Sequence, residues 1–484
     1  MSDNAIIREK AMYDPKSMDS NIFINHEEIV NTIKQAAEEA VDAKRVESIL
    51  EKAADFKGLT HHEAAVLLNV ESPQILDDIF KLAKKIKEHI YGRRIVMFAP
   101  LYMSDHCINR CSYCGYSSDN PMKRRRLSQE ELTEEVRILE SMGHKRLALE
   151  TGEDPVNCPI DYVLDSIKTI YSLSFKNGSI RRVNVNIAGT TVENYRKLKD
   201  AGIGTYILFQ ETYHKPTYLK VHHGGPKRNY EWHTEAHDRA MQADIDDVGL
   251  GVLYGLYDWR YDTIAMLMHA EHLEAALGVG PHTLSVPRIR TAAGVDASSF
   301  PHLVSDDDFK KVVAVLRLAV PYTGMILSTR EPVGYREEVL ALGISQISAG
   351  SCTGVGGYAD AGKLGTEEHT PQFVPQDHRS PLEVLKGLIK GGYIPSYCTA
   401  CYREGRTGDR FMSLAKSGKI GNVCQPNAML TLQEFIEDYG DDELRQIGTQ
   451  IIEREMASIT DQKVKDKATL CLDKIRSGKR DFRF

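Results

Sequence analysis

The chain of 484 residues has no apolar run near the roughly 18 residues that a membrane span requires, so no membrane association is expected. Residues 1–14 are polar and hold no apolar signal core, which predicts a cytoplasmic protein. A basic excess is also missing. Lys and Arg number 61 against 68 Asp and Glu, for a net charge of −7, so a nucleic-acid partner is not expected. The nine cysteines are an odd number and cannot all pair. Without an export signal they should be reduced and free for metal or redox chemistry. Nor is the chain poor in apolar residues. With 42% hydrophobic and 27% charged residues it has the composition of a folded globular protein. No near-identical repeat is present.

What the chain does have is an alternation. Short β-branched or apolar runs occur at 95–100, 146–150, 183–188, 206–210, 248–254, 283–289, 325–329 and 344–349, separated by amphipathic stretches. Strands alternating with helices imply parallel pairing through right-handed crossovers. Eight such units predict an α/β fold of the (β/α)8 TIM-barrel type, with a doubly wound open sheet as the alternative. The first crossover helix is marked by capping-box spacing at Ser128 and Glu131 and by a stop at Gly143. Ile75, Ile79, Leu82, Ile86 and Ile90 follow the helix period. A helical extension is therefore expected over residues 1–90, the barrel over 91–352, and a cysteine-bearing, loop-rich C-terminal domain over 353–484. Ser380, Pro381 and Glu383 open a helix that should end near Gly391 and Gly392.

Cys107, Cys111 and Cys114 form Cys-x3-Cys-x2-Cys in the loop after the first strand. Three thiolates so close can wrap one face of an iron–sulfur cube and leave the fourth iron without a local protein ligand. A structural zinc site would need four ligands. With Tyr113 before the last cysteine, the segment resembles the cluster motif of radical S-adenosylmethionine (SAM) enzymes. That resemblance implies SAM held on the open iron of a 4Fe-4S cluster. It also makes Thr151-Gly152-Glu153, after the second strand, the counterpart of a Gly-Gly-Glu motif that meets the SAM amino group, although Thr151 departs from it. Glu211, after the fourth strand, would accept from ribose or ammonium. Arg239 would pair with the SAM carboxylate, for which a guanidinium fork is well suited.

Cys398, Cys401 and Cys424 form a second triad, Cys-x2-Cys-x22-Cys, again without an obvious fourth ligand. Zinc is one reading of a Cys-x2-Cys pair. A second iron–sulfur core with an open iron is the other. With both triads, residues 210–214, 249–257, 280–288 and 328–331, the chain resembles the HydG-type tyrosine lyases, maturases of [FeFe]-hydrogenase. The runner-up is 2-iminoacetate synthase of thiamine synthesis, which shares the barrel and first triad. The HydG resemblance implies cleavage of L-tyrosine to p-cresol and dehydroglycine, and conversion of the latter to carbon monoxide and cyanide. It further implies an auxiliary iron–sulfur cluster on the second triad carrying an extra iron, with a free cysteine as a ligand. An iron carbonyl cyanide unit would then pass to a hydrogenase maturation scaffold protein.

Other residues are assigned from their chemistry. A free amino acid needs a cation for its carboxylate. Arg330, after the seventh strand, lies at the usual catalytic mouth of a barrel, and Ser351 adds a hydroxyl. The extra iron needs a further ligand, for which His282, at the start of the sixth strand, is chosen over His269 and His272. The run Lys123-Arg124-Arg125-Arg126 reads as a solvated loop, or as a docking patch for an acidic flavodoxin or ferredoxin electron donor. Gly249-Leu250-Gly251 and the glycines of 350–357 read as barrel turns, and His222-His223 as weak evidence for metal. Cys158, Cys352 and Cys471 read as small buried thiols.

Overall fold

A computed structural model describes residues 12–360 and 370–484. Eight parallel strands close into a barrel: β1 Arg94–Ser104, β2 Arg146–Thr151, β3 Arg182–Asn186, β4 Tyr206–Ile207, β5 Val248–Gly251, β6 Thr283–Ser285, β7 Gly324–Leu327 and β8 Gln346–Ser348. Closure is made by β1, which pairs with both β2 and β8. Every expected run overlaps its strand. The pair Gly249 and Gly251 lies inside β5 rather than in a turn. A ninth strand, β9 Ile394–Ser396, comes from beyond residue 352 and pairs with the first residues of β1, Arg94 to Val96. The C-terminal region is thereby fixed to the bottom of the barrel.

The crossover helices form for local reasons. In the first, Gln129–Ser141, the Glu131 amide donates to Ser128 Oγ and the Ser128 amide donates to Glu131 Oε2. This capping box satisfies two of the orphan donors at the helix start. Leu132, Val136 and Leu139 face inward and are buried. Gly143 follows with φ +95°, a conformation that glycine adopts without strain. The N-terminal extension is helical. Its last helix, Pro73–Tyr91, buries Ile79, Ala83, Ile86 and Ile90 against the barrel.

The C-terminal region departs from the loop-rich expectation. It holds the helices Pro381–Lys390, Gly408–Lys416, Gly421–Tyr439, Asp442–Ser458 and Gln462–Arg476. The longest of these, Gly421–Tyr439, is buried continuously from Pro426 to Ile436. A helix buried on all sides has no polar face, so the 3.6-residue period that reveals amphipathic helices is absent. Pro426 within it adds a false breaker. Among the described residues no helix is long and apolar enough to cross a membrane.

Candidate active site

The two cysteine triads stand at opposite ends of the barrel. Loop 105–127 leaves the top of β1 and carries the first. Arg124 folds it: its guanidinium donates to the carbonyls of Asp105 (2.8 Å), Tyr116 (2.7 Å) and Ser117 (2.6 Å). Arg126 donates to the carbonyl of Asn157, and Arg125 pairs with Glu131. Arg124 is therefore committed to shaping the cysteine loop, while Lys123 and Arg126 of the basic run are exposed to solvent. On the other side Cys111 bridges to His222. His222 directs Nδ1 to the carbonyl of Tyr218, and Nε2 accepts from the Tyr113 hydroxyl at 2.8 Å. Burial pushes His222 down to about 2, so it is a neutral structural brace.

Gly152 meets this loop at a distance that excludes a side chain. A Cβ there would stand 2.3 Å from the His106 carbonyl oxygen and 2.9 Å from Cys107 Cβ. Its amide donates to the Ser104 carbonyl, and the Glu153 carbonyl accepts from the Ile108 amide. Asn109 joins the parts: its Nδ2 donates to Glu153 Oε2 at 2.6 Å, and its Oδ1 accepts from the Lys227 amide. The Lys227 ammonium then donates to Glu211 Oε1 at 2.7 Å. Glu211 holds a left-handed backbone, φ +70°, at the end of β4. Burial alone would lower the Lys227 affinity for its proton, but Glu211 and the Cys111 thiol more than offset this and raise it.

Cys107, Cys111, Cys114, Tyr113, Thr151, Gly152, Glu153, Glu211 and Lys227 all line one cavity of about 910 Å³. Asn109 and Lys227 were not expected from the sequence; an isolated Lys or Asn in a loop carries no spacing signal. Arg239 is not brought into this cavity. Its guanidinium lies on the Trp232 ring and donates to the carbonyls of Thr190 (3.0 Å) and Trp232 (2.6 Å).

The cavity continues into the barrel past Glu150, Asn186, Phe209 and Arg330, into a space of about 700 Å³. Here the walls are Phe98, Pro100, Ile207 and Ile326. Arg330 lies on the Phe373 ring at 3.5 Å, and among the described residues no carboxylate forms an ion pair with it. Ser351 Oγ is buried without a hydrogen-bond partner and faces the same space. An unpaired guanidinium and an orphaned hydroxyl beside an apolar slot are the donors an amino-acid carboxylate requires. Glu150 is pushed up to about 8 by burial, against a hydrogen bond from Asn186 and the charge of Arg330. It is protonated at neutral pH and leaves the Arg330 charge uncommitted.

The second triad lies at the other end. Cys398 follows β9, Cys401 sits in the short helix Ala400–Arg403, and Cys424 in Gly421–Tyr439. They line a cavity of about 540 Å³ with Arg94, Arg146, Gly324, Gln346 and His282, residues that begin or precede strands. His282 is thus beside the triad. His269 and His272 are elsewhere, bonded to Tyr213 and to Asp238 with the Pro15 carbonyl. Arg146 is buried and Arg94 half-buried, each with a buried, unpartnered Nε. Arg146 reaches the Cys398 carbonyl at 3.4 Å. This is an anion-seeking environment around three thiols, and the sequence reading missed it.

Thiols in both triads are held protonated by burial, Cys114 up to about 11 and Cys424 up to about 12. Metal ligation deprotonates such thiols outright, and Lys227 above and Arg94 below balance the resulting charge. Among the described residues no three His, Cys, Asp or Glu side chains converge on a single ion. Three thiolates without a fourth protein ligand suit the open-iron cluster expected at the upper triad.

Comparison with known proteins agrees. Residues 101–270 match the radical SAM superfamily, and residues 285–394 the biotin and thiamin synthesis associated domain. The chain is 31% identical over 348 residues to 2-iminoacetate synthase of Salmonella typhimurium, covering 72% of this chain and 89% of that protein. It resembles a crystal structure of HydG, a maturase of the [FeFe]-hydrogenase, at 59% identity and a TM-score of 0.91, over 96% of this chain and 100% of that one. HydG from Carboxydothermus hydrogenoformans is 37% identical, with a TM-score of 0.78, over 92% and 99% of the two chains. Membership of the radical SAM superfamily implies SAM and a 4Fe-4S cluster, which the upper triad fits. The chain belongs to the radical SAM superfamily, among the HydG-type maturases of [FeFe]-hydrogenase.

Proposed function

We propose that the chain is a tyrosine lyase that supplies carbon monoxide and cyanide to an iron carried at its lower site. A SAM-bearing cluster supplies one-electron cleavage of a sulfonium to a carbon radical. The residues of this chain provide the rest. Arg330 and the Ser351 hydroxyl grip the tyrosine carboxylate. Phe98, Pro100 and Ile326 receive the aromatic ring. The closed barrel keeps water from the reacting atoms. Glu153, steadied by Asn109, and Glu211, steadied by Lys227, hold the polar groups of SAM. Breaking the Cα–Cβ bond gives p-cresol and dehydroglycine, and dehydroglycine divides into carbon monoxide, hydrogen cyanide and water. A flavodoxin or ferredoxin supplies one electron for the cleavage of SAM and a second, taken up with a proton, that completes p-cresol.

At the lower end Cys398, Cys401 and Cys424 would hold the auxiliary cluster, and His282 with a free cysteine would ligate the extra iron. That iron is cargo, leaving as a carbonyl cyanide unit for a maturation scaffold protein. The single observation that carries this reading is the stacking along one barrel axis of an upper space, continuous with the cavity of the first triad, and a lower cavity lined by the second. Ala148, Ile326 and Ser348 line the upper space, while Arg146, Gly324 and Gln346, two residues earlier on the same strands, line the lower. One layer of side chains, about 7 Å of strand, separates them. That is a short path for diatomic products.

The test is to incubate the reconstituted, reduced protein with SAM and L-tyrosine. p-Cresol together with carbon monoxide is expected. Absence of p-cresol would end the lyase reading. p-Cresol with stable glyoxylate and no carbon monoxide would place the activity with 2-iminoacetate synthase instead.

A further inference from the structure

His282 is buried, with Nδ1 3.4 Å from Asp247 Oδ1. The negative charge of Asp247 favours the proton on Nδ1, which leaves the Nε2 lone pair as the acceptor. That lone pair is already in use: the Tyr402 hydroxyl stands 2.5 Å from Nε2 and donates to it. One lone pair serves one partner, so Tyr402 and a metal exclude each other at this nitrogen.

Tyr402 is placed for exchange rather than for permanent bonding. It directly follows Cys401, so it rides on the segment that carries a ligand of the second triad. Its hydroxyl has a second partner within reach, Thr205 Oγ1 at 3.3 Å. The Arg182 guanidinium covers its ring and keeps it near the lower end of the barrel. On its far side Tyr402 lines a pocket of about 750 Å³ with Arg182, Asp247 and Thr407. The residue is therefore the wall between the lower cavity and that pocket.

We propose that Tyr402 is a positioning residue that competes with the cargo iron for His282, an inference that rests on the lower-site reading above. When iron arrives, the iron–nitrogen bond forms and the O–H···N bond breaks; the tyrosine proton stays on its oxygen and turns to Thr205. When the cargo leaves, the hydroxyl reclaims Nε2. The competition keeps the iron releasable, which a site that hands its metal on requires and a permanent ligand set does not.

The experiment titrates isotopically enriched ferrous iron into the anaerobically reconstituted chain, whose clusters carry natural-abundance iron. Mössbauer spectra count the ferrous ion bound beyond the clusters. Circular dichroism and cluster absorption check folding. Tyr402→Phe leaves Nε2 without its partner and should bind ferrous iron about two- to tenfold more tightly than wild type, the worth of one neutral hydrogen bond. Thr205→Val removes the hydroxyl's alternative partner and should bind more weakly, which keeps the proposal testable if the phenylalanine variant misfolds. His282→Ala should lose the extra ion, alone and combined with Tyr402→Phe. Unchanged or weaker binding in Tyr402→Phe, or unchanged binding in Thr205→Val, would overturn the competition. Wild-type binding in His282→Ala would overturn the underlying assignment of the ligand instead.

Discussion

Glu150 offers a test of the substrate pocket that does not depend on turnover. Burial moves its carboxyl from 4.5 to about 8. Between those values the folded protein holds a proton that the unfolded chain has released, so stability falls as pH rises through this window. At about 1.4 kcal/mol per pH unit the whole displacement is worth at most about 5 kcal/mol, and water in the adjoining cavity reduces it. Glu150→Gln keeps the shape and removes the titration. Relative to wild type, the variant should gain stability steadily from about pH 5 to pH 8. Asp262, pushed up to about 7 by burial, tilts both proteins equally and cancels in the difference. The assay is anaerobic chemical denaturation at several pH values, with infrared difference spectra to detect the protonated carboxyl. Parallel pH slopes in the two proteins, or no carboxyl band lost at pH 6, would refute the claim that Arg330 faces a neutral acid.

Three further outcomes are expected. Gly152→Ala forces a methyl to 2.3 Å from the His106 carbonyl, at about 1–3 kcal/mol for overpacking; iron analysis should show loss of the upper cluster while the lower is kept. Arg330→Lys replaces a fork by a point charge and should weaken tyrosine binding about 10- to 100-fold, for a loss of about 1.5–3 kcal/mol, read as KM for p-cresol formation. Gly324→Val puts bulk at the floor of the lower cavity without touching the upper one. It should reduce carbon monoxide release several-fold while p-cresol formation stays within about twofold, and equal loss of both would count against a passage through the barrel.

Much of this architecture is legible in the residues. The eight strands were visible because a parallel barrel buries both faces of each strand and writes short apolar runs. The two triads were visible because three cysteines within eight residues, and a Cys-x2-Cys pair with a third downstream, stand out among only nine in the chain. Strand order alone placed Arg330 at the top of the barrel and His282 at the bottom, where each lines a cavity, since the ends of a barrel follow from chain direction. What escaped had no periodic or spacing signal. Lys227 and Asn109 act through side chains that meet only after loops 105–127 and 222–229 are folded together. Arg94, Arg146 and Arg182 each open one of the first three strands. That repeated placement of a cation at a strand start was a readable sign of the cationic lining below. The buried helix Gly421–Tyr439 was hidden by its own burial. Arg239 was assigned by resemblance, and its guanidinium instead serves the carbonyls of Thr190 and Trp232.

The measurement closest to the central claim is infrared spectroscopy of the working protein supplied with isotopically labelled tyrosine, compared between wild type and Cys398→Ala. Metal carbonyl and cyanide bands that shift with the label should arise in wild type and vanish in the variant, while both still release p-cresol. Labelled bands of equal strength in Cys398→Ala would contradict the division of labour between the two ends of the barrel.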